Sequence, residues 1–94
     1  MDKIVAIEGE ISMSKIFVGP FEDAEEMFYS FEISDATDTI LAFAARNTGA
    51  ATLRNFLLGK YDATMWTKVR IQILGRARGV VYGSLLSFDN PRSR

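Results

Sequence analysis

The sequence predicts a small all-β domain with one helix: five strands closing into a Greek-key barrel, with the helix between the third and fourth strands. Three observations predict it. Five segments alternate apolar and polar residues with the period of two that a half-buried strand requires. One segment, Asn47 to Tyr61, changes to the helical period. The chain has 94 residues, 48% of them hydrophobic, which suffices for one core and not for two.

The elements follow in order. "KIVAIEGEISMSKIFVG" (Lys3 to Gly19) is the first strand, with Val5, Ile7 and Ile11 on one face and Glu8 and Glu10 on the other. Gly9, between the two glutamates, is the expected bend by which a long strand serves both halves of a barrel. "GPFEDAEE" (Gly19 to Glu26) is a loop, punctuated by Gly-Pro and solvated by four acids. "MFYSFEIS" (Met27 to Ser34) is the second strand: Tyr29, Phe31 and Ile33 share one face, and Phe28, Ser30 and Glu32 share the other. "DATD" (Asp35 to Asp38) is a turn, because Asp bonds its own backbone there. "TILAFAA" (Thr39 to Ala45) is the third strand, setting Ile40, Ala42 and Ala44 against Leu41, Phe43 and Ala45.

The helix carries Leu53, Phe56 and Leu57 at i, i+3 and i+4; Asn47 or Thr48 caps its start and Gly59 stops it. Tyr61 to Trp66 is a link whose two aromatic ends anchor in the core. "TKVRIQILG" (Thr67 to Gly75) is the fourth strand, with Val69, Ile71 and Ile73 inward and Lys68, Arg70 and Gln72 outward. "RARG" (Arg76 to Gly79) is a basic turn, and "VVYGSLLSF" (Val80 to Phe88) the fifth strand. A polar tail begins at about Asp89, where Pro91 is expected to stop any strand. The whole, 1–94, reads as one domain.

Strand, strand, strand, helix, strand, strand is the element order of the OB-fold. "FEISDATDTILAFA" resembles the strand-two to strand-three hairpin of OB domains of the replication protein A and tRNA-anticodon-binding type. "KVRIQILGRAR" resembles their fourth strand. With "IVAIEGEI" the resemblance covers most of the chain. It implies a protein that binds single-stranded nucleic acid with little sequence preference, DNA before RNA. Outward apolar residues of strands two and three stack the bases in such domains. Here those positions are Phe28, Leu41 and Phe43. Arg46 then meets a phosphate, and Lys68, Arg70, Arg76 and Arg78 extend a basic track. Tyr82 fits a second stacking residue or the core equally.

Composition narrows the alternatives. The chain has no Cys and no His, which removes disulfides, thiolate metal sites, the commonest zinc ligand and the usual general base. No nucleophile-elbow, P-loop or dinucleotide motif is present, and Asp35 and Asp38 are turn formers. The expectation is a non-enzyme with no cofactor and no metal. Glu8 and Glu10 interrupt the first apolar run, so it does not read as a signal peptide. No stretch is long enough to span a bilayer. An intracellular protein is expected, with no membrane partner.

Net charge is −1, yet residues 1–40 hold two basic and ten acidic side chains, while 41–94 hold nine basic and two acidic. Either the halves neutralise each other across a sheet, or the basic half meets a partner. The acidic loop "FEDAEE" (Phe21 to Glu26) argues against phosphate on its side of the barrel. The rival expectation is therefore a structural OB subunit that binds no nucleic acid. Its outward face on strands two and three would meet a protein partner or a second copy of the chain.

Overall fold

In the computed structural model residues 3–14, 28–59 and 64–93 are described. The alternating segments become β1 (Lys3–Met13), β2 (Phe28–Ser34), β3 (Thr39–Ala45), β4 (Met65–Ala77) and β5 (Val80–Phe88). The one helical segment becomes α1 (Thr48–Leu58), and a short β6 (Arg92–Ser93) follows. The strands are ordered β1-β2-β3-β5-β4, and β1 pairs with β4 to close the ring. All barrel pairings are antiparallel except β3 with β5. This closed five-stranded barrel, with its helix between β3 and β4, has the OB-like architecture the element order predicts.

Closure depends on β1 having two partners. It pairs with β4 from Lys3 to Ile11 and with β2 from Glu10 to Met13, so Glu10 and Ile11 have register partners on both edges. Gly9 is buried where the two ladders meet. A Cβ there would collide with the main-chain carbonyl of Ser34. That close approach, rather than flexibility, requires glycine.

The inward faces are those the alternation predicts. Phe31 and Ile33 of β2, Ala42 of β3, and Val69 and Ile71 of β4 form the barrel core with Ile11. Helix α1 closes one end with Ala50, Leu53 and Leu57. Asn47 is its N-cap: the side-chain Oδ1 accepts the Ala50 N–H at 2.9 Å. Phe56, expected on the inner face, is instead 38% exposed, because the buried stripe runs Ala50, Leu53, Leu57. Such a stripe steps by three and then four residues and leaves Phe56 at its rim.

Several boundaries differ from the sequence expectation. β1 ends at Met13; the expected continuation to Gly19, the acidic loop, Met27 and Tyr61 lie outside the described residues. β4 begins two residues earlier than expected and ends two later, at Ala77. The turn needs only Arg78 (φ 54°) and Gly79 (φ 80°), and positive φ at both central residues is the mark of a two-residue hairpin. The first half of the expected four-residue basic turn, Arg76 and Ala77, is thus strand. Trp66, expected as a core anchor, lies within β4 opposite Glu10 and Arg92 and is half-buried. The tail also pairs: beyond Pro91, β6 covers the edge of β4 at Met65 and Trp66. Thr67 Oγ1 fixes its approach by donating to the Asp89 carbonyl at 2.6 Å.

The close approach at Gly9 generates a prediction. Gly9→Ala must push β1 and β2 apart, at a cost of about 1–3 kcal/mol. Thermal denaturation followed by circular dichroism should show a fall in Tm of about 5 °C or more. An unchanged Tm would mean that the junction yields freely.

Candidate nucleic-acid interface

The outer face of the β2–β3–β5 sheet gathers three of the predicted site residues. In register, Phe28 lies opposite Ala45, Ser30 opposite Phe43 and Glu32 opposite Leu41. The parallel pairing then places Leu41 beside Tyr82 and Phe43 beside Ser84. Phe43 is the middle of an aromatic row, edge-on to Phe28 at 6.4 Å and to Tyr82 at 6.3 Å. Gly75 of β4 makes room for Tyr82, whose hydroxyl would lie 3.0 Å from any Cβ there.

This row points away from the barrel core, as its parity predicts, and yet it is closed to solvent. Leu41, Phe43 and Tyr82 form a second hydrophobic cluster, with Phe28 and Val80 packed against it. Leu41 and Phe43 are each 1% exposed, and Ser30 on the same face is equally buried. Neither Leu41 nor Phe43 offers an open surface to a base in this conformation. Phe28, at the rim, is half-buried.

An open groove begins where the closed row ends. β3 and β5 pair from Ile40–Val81 to Phe43–Ser84. Past that point β3 leads into the helix cap, while β5 continues along β4 through a register shift that leaves Leu86 without an opposite residue. The separation leaves a cavity of about 470 Å³. Ala44, Ala50 and Leu85 lie at its apolar base, and Phe28, Leu86 and Phe88 line it further. Bulges of this kind re-aim side chains at the edges of barrels.

The cations divide between this groove and other places. Arg46 lies between Ala45 and Asn47, both lining residues, and its guanidinium carbon sits 4.9 Å from the Tyr29 ring centre. Arg54 of α1 approaches the same ring at 5.5 Å. Arg70 lies opposite Ser87, another lining residue, one strand away from the groove. Lys68 is farther round the barrel, opposite Glu8, so acid and base meet on that ladder. Arg76 and Arg78 belong to the β4–β5 hairpin at the opposite end of the sheet. Arg76 Nη1 donates to the Gly79 carbonyl at 3.1 Å.

That opposite end also carries carboxylates. A second cavity of about 450 Å³ lies between the hairpin and the Asp35–Asp38 turn, lined by Glu32, Asp35 and Asp38 with Leu41 and Val80. Asp35 Oδ1 accepts the Thr37 N–H at 2.7 Å, the Thr37 hydroxyl at 2.7 Å and the Asp38 N–H at 2.9 Å. These donors, the Thr37 N–H first, hold the Asp35 carboxyl below its ordinary range. The turn is therefore anionic at neutral pH, and phosphate is disfavoured beside it.

Sequence reasoning missed two groups. Arg54 was not singled out, and nothing local marks its approach to Tyr29. Phe88 was assigned only to the end of the fifth strand, whereas it also walls the groove. Among the described residues no helix is long and apolar enough to cross a membrane, and no group of three or more acidic side chains is placed to hold a metal ion. Comparison with protein-family models, with curated proteins and with solved structures finds no match.

The closed row separates two phenylalanines that sequence reasoning treated alike. Phe43→Ala empties a buried site and should cost about 3 kcal/mol or more, whereas Phe28→Ala at the rim should cost less than half as much. Urea denaturation of both variants measures the difference. Equal, small losses would show that Phe43 is not a core residue.

Proposed function

We propose that the chain is a small OB-fold protein that binds single-stranded nucleic acid with little sequence preference, DNA before RNA, and is not an enzyme. The observation that carries this reading is the β3–β5 groove: it is apolar at its base, has Phe28 and Phe88 among its lining residues, and has Arg46 next in sequence to its lining residues Ala45 and Asn47 and Arg70 paired with its lining residue Ser87. Bases stack on aromatic faces whatever their identity, and cations beside the stack take the phosphates. The resemblance of the hairpin and the fourth strand to OB domains of the replication protein A and anticodon-binding type points the same way.

The roles follow from placement. Phe28 and Phe88 stack bases. Arg46 and Arg70 hold phosphates. Leu41 and Phe43 act from beneath, fixing Phe28 by edge-on packing rather than by touching the ligand. Arg76 and Arg78 extend the contact only for a strand long enough to pass the acidic turn. Arg78 holds a left-handed backbone conformation that favours Gly or Asn. A non-glycine residue in such a conformation is a reason to look for function at that hairpin.

A second reading draws on the closure of Leu41 and Phe43 and on the carboxylates beside them. In it the chain is a structural OB subunit, assembling with a protein partner or with itself, and has no affinity for nucleic acid. Either reading suits the inside of a cell.

Fluorescence anisotropy with labelled oligo-dT and oligo-U separates the two. The expected result is binding whose log K falls linearly with log salt, with a slope of about −1.4 for two phosphates. Phe28→Ala should weaken it about fivefold or more, the low end of a lost base stack. No binding at low salt, together with a stable oligomer in light scattering, would overturn the first reading in favour of the second.

A further inference from the structure

The outer face of the β1–β4 ladder is sorted by charge. In register, Ile4 lies opposite Gln72, Ala6 opposite Arg70, Glu8 opposite Lys68 and Glu10 opposite Trp66. The residues between them, Val5, Ile7, Val69 and Ile71, belong to the barrel core or pack against it, so the four pairs point outward. From Ile4 to Glu10 the outward positions of β1 carry two acids and no base. From Trp66 to Gln72 those of β4 carry two bases and no acid. The other edge of β4 adds one charge of each sign: the Asp89 N–H donates to the Lys68 carbonyl at 2.9 Å, and Arg92 lies opposite Trp66.

The same face is apolar at one end. Ile4 is 52% exposed, and Leu74, its diagonal neighbour beyond Gln72, is 42% exposed. Leu74 sits at the register shift between Ile73 and Gly75, where β5 offers it no opposite residue.

Charge selects what fits this face. A surface that is acidic along one strand and basic along the next is complementary to itself. A two-fold axis along the strands lays β1 over β4 of a second copy, so Glu8 meets the partner's Lys68 and symmetry returns the contact. The four charges then alternate at the corners of a square, and the apolar ends fall together. A two-fold axis across the strands would instead lay β1 on β1 and β4 on β4, setting acid near acid and base near base.

We propose that the protein forms a two-fold dimer through the outer face of β1 and β4, held by reciprocal Glu8–Lys68 contacts and by Ile4 and Leu74. The surface is two strands wide and charged, so the association is weak and salt-sensitive rather than permanent. The outward face of β2 and β3, where the sequence placed an assembly surface, is filled by Leu41 and Phe43. None of the four contact residues lines the β3–β5 groove, so the inference goes beyond the nucleic-acid reading and does not rest on it.

Sedimentation velocity at about 100 μM protein and low salt should show a monomer–dimer equilibrium that moves to monomer as salt rises. Glu8→Lys and Lys68→Glu are each expected to weaken self-association about tenfold or more, because each sets like charges together at both contacts. Mixing these two variants in equal amounts should restore the dimer. Both contacts between chains then join opposite charges, while positions 8 and 68 within each chain still carry like charges. Only a contact between chains gives that recovery. A mixture of Glu8→Lys with Arg76→Glu has the same net charges and should remain monomeric. Recovery in that mixture too would reduce the effect to net charge and overturn the interface. So would an unaltered protein that stays monomeric at low salt, single variants that dimerise as well as it does, or a first mixture that fails to recover. Oligonucleotide anisotropy reads the groove separately, so failure of the dimer and failure of the groove are distinguishable.

Discussion

The structure depends on one strand bonding along both of its edges. β1 pairs with β4 from Lys3 to Ile11 and with β2 from Glu10 to Met13, and the ring closes because Gly9 lets the Ser34 carbonyl come close. A closed ring leaves no long edge open to aggregation. It also forces β3 and β5, which run in the same direction, to meet as the one parallel pair. That pairing is short. Its early end opens the groove, since β3 must turn into the helix cap while β5 stays on β4. The candidate site is thus a consequence of closure, at the one parallel seam of the barrel.

The second consequence concerns the β2–β3 hairpin, which is apolar on both faces. One face fills the barrel. The other builds a smaller cluster from Leu41, Phe43 and Tyr82, with Phe28 and Val80 at its margin. Burying a phenylalanine gains roughly 1.5–3 kcal/mol, a sizeable fraction of the stability of a domain this small. Apolar residues on an outer face therefore contribute to stability first. Only the residues at the end of the row, where burial is incomplete, are placed to trade water for a ligand.

This explains what the sequence could and could not reveal. Alternation assigned the inward and outward residues of β2, β3 and β4 correctly, because side-chain parity is a local property of a strand. The helix and its Asn47 cap were legible for the same reason. Parity gives direction but not cover, so Phe43 looked like a platform and is a core residue. The ends of β4 were misplaced because a two-residue turn with positive φ at Arg78 carries a weak signal when the first position is not Asn or Gly. β6 was missed because Pro91 forbids a strand at its own position and not one residue beyond. The groove and the Tyr29 cluster depend on register between segments far apart in sequence, which no local pattern encodes.

The division of charge along the chain also acquires a physical meaning. Its acidic first part supplies Glu8 and Glu10 of β1 and the carboxylates of the Asp35–Asp38 turn; its basic second part supplies β4, its hairpin and α1. Barrel closure sets Lys68 opposite Glu8, which answers part of the charge within the fold. Arg70 has Ala6 and Ser87 as its opposite neighbours, and Arg46 and Arg54 gather on Tyr29. Arg76 faces Val81 and, with Arg78, belongs to the hairpin at the far end of the sheet. The acids of the Asp35–Asp38 turn stand at the far end of the same sheet. A nearly neutral chain in this way separates its charges in space: carboxylates and the hairpin arginines share one end of the sheet, while Arg46, Arg54 and Arg70 lie toward the other, so net charge alone says little about what either end attracts.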